Sequence, residues 1–99
     1  MKKRLNSEKI IKRLKEERNE LRKRGVKRIG LFGSYVKGKQ KQKSDIDFLI
    51  EFKKIDADNF FNLLFLLERM FKRKIDLVDA KNLRPELEYV KKEAKYVEI

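Results

Sequence analysis

The residues best suited to chemistry are two acids, Asp45 and Asp47, at the start of an apolar run. Because strand side chains alternate between two faces, acids two positions apart on a strand point to the same side. They follow a loop that begins with Gly33-Ser34 and closes at Gly38. Two parallel carboxylates repel each other unless a cation neutralises them. The pattern therefore predicts a site for a divalent metal and nucleotide phosphates, and it indicates phosphoryl or nucleotidyl transfer.

Each half of this pattern is common on its own. An isolated Asp-X-Asp is usually a solvated strand edge, and Gly-Ser is usually an ordinary turn. The combination is more specific, because Gly33 lets the backbone turn tightly and approach a ligand. Ser34 supplies a hydroxyl where a helix N-terminus presents free N–H groups to phosphate. The loop is not a Walker loop, since no Gly-Lys-Ser/Thr follows at the required spacing.

The composition limits the partners and the metals. The 99 residues carry a formal net charge of +12, which favours polyanionic partners such as nucleic acid, nucleotide phosphates or an acidic protein surface. A heat-adapted surface explains the charge density equally well, because Lys, Glu and Arg enrichment is typical of hyperthermophile proteins. The chain contains no Cys and no His, which excludes zinc sites built on those ligands, Cys nucleophiles and Ser-His-Asp triads. Any metal must bind through oxygen, so Mg²⁺ or Mn²⁺ is expected.

The length and hydropathy of the chain indicate its organisation and location. A chain of 99 residues favours a single domain, residues 1–99. No stretch is long and apolar enough to span a bilayer, and no apolar run follows the basic start Met1-Lys2-Lys3-Arg4. We therefore expect a cytoplasmic protein that has no membrane partner.

Helix and strand patterns alternate along the chain. Periodicity, capping residues and turn signals predict a helix from Asn6 or Ser7 to a stop at Gly25, strand 26–32, short helix 34–37, strand 45–52, helix 59–72, strand 75–79, a last helix from Pro85 to about Lys95, and a short strand 96–99. This order predicts an α/β (α+β) fold in which helices flank a small mixed β-sheet.

The helix at 59–72 is apolar on more than one side. Residues three or four apart form its predicted core stripe: Phe60, Leu63, Leu64, Leu67 and Phe71. Phe61, Phe65 and Leu66 remain outside this stripe. They are either covered within the domain or form an exposed apolar patch that marks an interface with another protein.

The run from Gly33 to Gly38, followed by Ser44-Asp45-Ile46-Asp47-Phe48-Leu49-Ile50, resembles the signature of the DNA polymerase β-type nucleotidyltransferase superfamily. The short chain resembles the minimal nucleotidyltransferases, or MNT proteins, over nearly its whole length. The resemblance implies a nucleotidyltransferase fold and a third carboxylate on a later strand. The matching residue is Asp76, whereas Asp79 falls on the opposite strand face and is the poorer candidate.

The resemblance also implies roles for individual residues. Asp45, Asp47 and Asp76 would be the catalytic residues and would hold two Mg²⁺ ions, with Mn²⁺ as an alternative. ATP would be bound by the glycine loop and its neighbours: Gly33, Ser34, Lys37, Gly38 and Ser44. Lys37 stands where the family more often has Arg, and Val36 where Ala is common. Lys keeps the charge but lacks the planar two-pronged grip of Arg on phosphate.

The loop before the acids is strongly basic, with lysines at Lys39, Lys41 and Lys43. These side chains either contact the triphosphate or an anionic second substrate, or they form a solvated charged loop. The sequence leaves both interpretations open.

The acceptor is indicated only by the resemblance. Minimal nucleotidyltransferases often pair with a helical HEPN protein in toxin–antitoxin systems, which implies AMP transfer from ATP to a tyrosine hydroxyl of that RNase toxin. The Phe61/Phe65 side of the long helix is the predicted contact surface. Two alternatives remain: the same chemistry on a small molecule or an RNA end, and a non-catalytic basic module for RNA binding or scaffolding. The second lacks a nucleic-acid motif with aromatic stacking positions, so direct nucleic-acid binding is not favoured.

Overall fold

A computed structural model describes residues 5–41, 44–53 and 56–99 of the protein. The elements in these ranges are α1 (Ser7–Glu16), α2 (Arg18–Lys23), β1 (Val26–Phe32), α3 (Ser34–Lys37), β2 (Ile46–Phe52), α4 (Ala57–Phe71), β3 (Ile75–Asp79), the 3₁₀ turns Ala80–Asn82 and Pro85–Leu87, α5 (Val90–Glu93) and β4 (Lys95–Glu98). None of the helices in the described ranges has the length and apolar character needed to cross a membrane.

The four strands form a mixed sheet in the order β3-β2-β1-β4. β1 pairs antiparallel with both β2 and β4, while β2 pairs parallel with β3. A parallel pair needs a crossover connection between its strands, and α4 provides it between β2 and β3. The predicted fold, a small mixed sheet with flanking helices, is confirmed.

One face of the sheet carries the main hydrophobic core. Alternation along β2 places Ile46, Phe48 and Ile50 on this face, where all three are fully buried. The helices pack their buried side chains against them: Ile10, Leu14, Leu21, Leu63, Leu66, Leu67 and Phe71. Asp47 and Leu49, the intervening residues of β2, consequently point to the opposite face of the sheet.

The stripe of α4 that is buried differs from the predicted one. Leu66, which was expected outside the core stripe, is 7% exposed and belongs to the core, whereas Phe60 and Leu64 are only partly buried. The buried arc of the helix is therefore rotated toward Leu66. Phe61 and Phe65 remain 53% and 59% exposed, with their rings stacked at a centroid distance of 6.5 Å.

The single N-terminal helix expected from the sequence is instead two helices, α1 and α2, which meet at Glu17. The side chain of Asn6 caps α1, and Gly25 follows α2 with φ +82°, both as predicted. Glu17 has φ −99° and ψ 19°, which departs from regular helix geometry. Beyond this bend, the guanidinium of Arg22 donates a 2.7 Å hydrogen bond to the carbonyl of Ile99. A contact between the two ends of the chain thus accompanies the change in direction.

The predicted last helix from Pro85 to Lys95 is wrong. The chain there forms a 3₁₀ turn followed by the single helical turn α5. Val90 and Ala80 pack against Leu49 in a small second cluster on the sheet face that also carries Asp47. Leu87 and Tyr89 stay exposed, so this segment lacks the continuous buried stripe that stabilises a longer helix.

β4 confirms the predicted terminal strand and begins one residue earlier, at Lys95. It places Tyr96 opposite Gly30 of β1. A Cβ at position 30 would lie 2.8 Å from the Tyr96 ring. The glycine therefore lets the ring lie directly on the sheet.

Gly30→Ala is expected to lower the free energy of unfolding by about 1–3 kcal/mol, because the added methyl forces Tyr96 or β4 to move. Thermal unfolding measures the change. In a Tyr96→Ala background the same substitution should cost less, since the obstructing ring is gone. An equal loss in both backgrounds would place the strain elsewhere.

Candidate active site

The glycine loop joins β1 to α3 and turns sharply at Gly33. This residue has φ +78° and ψ −146°, a conformation essentially restricted to glycine. Its carbonyl accepts hydrogen bonds from the amides of Val36 and Lys37, both at 3.1 Å, which begins α3. Gly38 ends α3 in the left-handed region with φ +70°. The predicted short helix between two glycines is confirmed.

Gly33 lies directly against Asp47. Phe32, the last residue of β1, pairs with Asp47 across the antiparallel strands, so the next residue passes over the Asp47 carboxylate. A Cβ at position 33 would overlap with Oδ2 of Asp47. The glycine loop and the acidic strand, which the sequence related only by spacing, are thus in contact.

Asp47 and Asp76 occupy neighbouring positions on the parallel strands β2 and β3. In such a pair, residues in register project to the same side of the sheet, here the face opposite the main core. Asp47 is half-buried and Asp76 is exposed. The nearby Asp76 carboxylate raises the pKa of Asp47. The acid predicted from the later strand therefore lies beside the first pair.

The pKa of Asp47 is raised from 3.8 to about 6, mainly by burial and additionally by the negative charges of Asp76 and Asp45. A carboxyl group that is costly to ionise gains most from a nearby cation. The repulsion expected between parallel carboxylates therefore contributes to the raised pKa of Asp47.

Asp45, the remaining acid of the group, does not pair with Asp47 across the strands as Asp76 does. It precedes β2, is exposed, and acts on Asp47 through its charge. Across residues 5–41, 44–53 and 56–99, no three acidic side chains are arranged to hold one metal ion as they stand. The backbone brings the three acids to one edge of the sheet, but a three-carboxylate set requires reorientation of side chains.

The donor set nevertheless fits a divalent metal. All three groups offer oxygen ligands, which Mg²⁺ and Mn²⁺ prefer. A cation bound beside Asp47 would also offset the burial and like charges that raise its pKa. Both the ligand type and the electrostatics of this sheet edge therefore suit a hard cation.

Two of the other predicted nucleotide-binding residues, Ser44 and Lys37, form side-chain contacts within the protein. Oγ of Ser44 accepts a 2.6 Å hydrogen bond from the amide of Lys41, which closes the loop before β2. The ammonium of Lys37 lies 4.0 Å from the carboxylate of Glu93 in α5. Contacts of these side chains with a nucleotide stay predictions. Lys43 lies outside the described residues.

Asp79 differs from the three site acids. Its carboxylate is buried and accepts hydrogen bonds from the amide of Lys81 at 3.1 Å and from the side chain of Asn82 at 3.3 Å. Asp79 thus caps the 3₁₀ turn after β3. This structural role agrees with its prediction as the poorer candidate.

Two contacts of the site were missed from the sequence. The close contact between Gly33 and Asp47 has a signal, since a glycine in a tight turn often marks close approach of another group. The ion pair between Lys37 and Glu93 has no signal in the sequence, because it depends on where α5 packs against the sheet.

Comparisons with known proteins match this architecture. A family model described as polymerase beta, nucleotidyltransferase, matches residues 8–97. The protein adenylyltransferase MntA of Thermococcus cleftensis is 40% identical over 82 residues, which are 81% of this chain and 83% of that protein. A protein named as a candidate protein adenylyltransferase in Methanocaldococcus jannaschii is 40% identical over 75% of this chain and 85% of its own length.

Solved structures share the fold. A minimal nucleotidyltransferase superposes with a TM-score of 0.78 at 27% identity, covering 92% of this chain and 95% of its own. A chain of a toxin–antitoxin crystal structure with AMP-PNP gives 0.66 at 31% identity, covering 93% of this chain and 72% of its own. A third chain, from a complex of an MNT antitoxin with the tri-AMPylated HEPN toxin of Shewanella oneidensis, gives 0.61 at 23% identity, which shows the fold alone; it covers 87% of this chain and 70% of its own.

The family match spans nearly the whole chain, and it includes the glycine loop and all three acids. Nucleotidyltransferases of this fold generally use divalent metals, which agrees with the oxygen donors at the edge of the sheet. The chain belongs to the polymerase β-type nucleotidyltransferase family.

Proposed function

We propose that this protein transfers AMP from ATP to a tyrosine hydroxyl of a HEPN-type RNase toxin and thereby acts as its antitoxin. The observation that carries the proposal is the position of Asp47, in contact with Gly33 on one side and paired with Asp76 on the other. Relatives named protein adenylyltransferases support the reaction, and similar chains in toxin–antitoxin complexes support the partner.

We assign Asp45, Asp47 and Asp76 as the ligands of two Mg²⁺ ions, with Mn²⁺ as an alternative. Divalent ions at this position supply neutralisation of the triphosphate charge and make an acceptor hydroxyl easier to ionise. The raised pKa of Asp47 and its direct pairing with Asp76 support this assignment.

Residues of the chain itself bind the nucleotide and accept the proton. Gly33 has no side chain, so phosphate oxygens can approach its backbone, and the Ser34 hydroxyl beside it donates to the β- and γ-phosphates. Lys37 adds positive charge at the end of α3, and Gly38 sets the path of the loop. Asp76 accepts the tyrosine proton while the hydroxyl oxygen attacks the α-phosphorus. A new P–O bond forms, the α–β phosphoanhydride bond breaks, and pyrophosphate leaves.

The acceptor is tested by offering each candidate acceptor to the protein in a separate reaction. The protein, Mg²⁺ and ATP labelled at the α-phosphate are incubated separately with a co-expressed HEPN-type protein, with tRNA and with an aminoglycoside. Label on a tyrosine of the HEPN-type protein alone supports the proposal. Label on RNA or on the aminoglycoside overturns the choice of acceptor, and ATP binding without any transfer overturns the reaction.

We further assign the Phe61/Phe65 face, the exposed side of α4 around these two residues, as the surface that binds the HEPN-type partner. α4 runs from the far end of β2 back to the edge where β3 and Asp76 begin. Because α4 packs on the face of the sheet opposite Asp47, a helical partner that lies along α4 must reach around the β3 edge to meet the acids. The two stacked rings supply apolar area of the kind that forms the centre of protein interfaces.

The double variant Phe61→Ser/Phe65→Ser is expected to bind the HEPN-type partner at least about tenfold more weakly, because it removes two aromatic contacts. Folding should be retained, since both side chains are mostly exposed. Leu87→Ser/Tyr89→Ser removes exposed apolar area from another surface and is the control. Unchanged affinity in the first variant, or an equal loss in the second, contradicts the assignment.

A further inference from the structure

A cavity lies on the same face of the sheet as the acids but toward the other end of β2. Its volume is about 760 Å³, within the range of pockets that hold small-molecule ligands. Leu49 and Glu51 form part of its floor, and Glu51 is four positions beyond Asp47, roughly 13 Å along the strand. None of the predicted site residues lines it.

The lining of this cavity has an excess of positive charge. Within residues 5–41, 44–53 and 56–99, the cavity is lined by two carboxylates, Glu51 and Glu88, and by five cationic side chains: Lys27, Arg28, Lys53, Lys81 and Lys91. Both carboxylates are engaged, Glu51 by Arg28 and Glu88 by Lys91, the latter pair at 3.2 Å. Among the described residues, Lys27, Lys53 and Lys81 form no ion pair. Three like charges around one cavity favour a bound anion.

The cavity also contains a fixed planar group. The guanidinium of Arg28 lies 4.0 Å from the centre of the Tyr96 ring. The Tyr96 hydroxyl donates a 2.7 Å hydrogen bond to the carbonyl of Lys91, which holds the ring in place. Aromatic rings and guanidinium planes are the groups on which nucleobases stack in proteins.

We propose that this cavity is a second site for a nucleoside polyphosphate. The phosphates lie against Lys27, Lys53 and Lys81, and the base lies against the Arg28–Tyr96 pair. Both carboxylates that line the cavity in the described part of the chain pair with cations, so a divalent ion there would have to compete with Arg28 and Lys91. Binding here is metal-independent, in contrast to the active site, and it does not depend on the proposed AMP transfer.

The test measures ATP binding to the whole protein by calorimetry in the presence of EDTA. Wild type and Asp47→Asn should bind equally, while Lys53→Ala/Lys81→Ala should bind at least about tenfold more weakly because two charged contacts are lost. Lys12→Ala/Lys15→Ala, on exposed positions of α1, makes the same change in net charge elsewhere and should bind as wild type. Inorganic triphosphate should bind more weakly than ATP, because it lacks the base.

Each contrary outcome removes the proposal or a part of it. Absence of EDTA-resistant binding eliminates the site. Equal weakening by the two lysine pairs indicates attraction by net charge alone. A change of affinity in Asp47→Asn, in either direction, assigns the binding to the active site, because this carboxylate repels the phosphates when no metal is present. Equal affinity for triphosphate and ATP would show that the base does not contribute to binding, and the proposed contact with the Arg28–Tyr96 pair would be rejected.

Discussion

Asp47→Asn is expected to reduce AMP transfer by about 10³-fold or more. Asp47 is the acid that contacts both the glycine loop and Asp76, so its replacement removes a negative oxygen ligand from the centre of the site. The initial rate of label transfer to the HEPN-type protein at saturating Mg²⁺ measures the effect. Glu16→Gln, the equivalent acid-to-amide change at an exposed position of α1, is the control and should keep full activity. Turnover near the wild-type rate in Asp47→Asn would discard the assignment.

The same substitution is expected to stabilise the metal-free protein at neutral pH. The folded-state pKa of Asp47, about 6, lies above 3.8, so the folded state holds its proton more tightly than the unfolded state. The contribution of Asp47 to the free energy of unfolding is fully present below about pH 4, and it is lost as pH rises through about 6. Because Asp47 is only half-buried, solvent screening reduces the effect to about 1 kcal/mol, or about 4–8 °C in melting temperature. Asp47→Asn should therefore melt higher than wild type at pH 7 in EDTA, but not at pH 4.

Gly33→Ala is expected to disable the site while leaving the residues of the acid group unchanged. The new methyl group overlaps with Oδ2 of Asp47, and the backbone at φ +78° and ψ −146° disfavours any side chain. Together these effects should lower the free energy of unfolding by about 2–3 kcal/mol and transfer by about 10²-fold. Chemical denaturation and label transfer measure the two losses.

Gly38→Ala is the matched control for this prediction. Gly38 also has a positive φ, +70°, but within the described residues, its chain neighbours aside, no atom lies within 4 Å of the position its Cβ would occupy. Only the backbone penalty remains, about 1 kcal/mol, and transfer should stay near the wild-type rate. If both variants lose activity equally, backbone strain rather than the contact with Asp47 explains the effect.

The strands and the acid pair could be predicted from the sequence because they depend on local order. Alternation along 45–52 fixes the face of Asp47, and the parity of the later strand separates Asp76 from Asp79. The identity of Asp76 as the third acid required the family resemblance. Its place beside Asp47 depends on a parallel register, which no local pattern in the sequence encodes.

The predictions that were wrong concern features that depend on contacts between residues far apart in the sequence. The bend at Glu17 accompanies hydrogen bonds to the opposite end of the chain, and the segment after Pro85 follows the sheet surface rather than a helical period. The burial of Leu66 depends on the rotation of α4 against the sheet. A single domain, a cytoplasmic location and heat adaptation stay predictions from composition.

The central claim is tested most directly by the fate of the two ends of ATP. The protein and a HEPN-type partner are incubated with Mg²⁺ and ATP labelled at either the α- or the γ-phosphate. Nucleotidyl transfer predicts that the α label appears on a tyrosine of the partner, that the γ label leaves as pyrophosphate, and that EDTA or Asp47→Asn prevents both. Appearance of the γ label on the partner, or transfer of the α label that survives EDTA and Asp47→Asn, would contradict a metal-dependent AMP transfer at these acids.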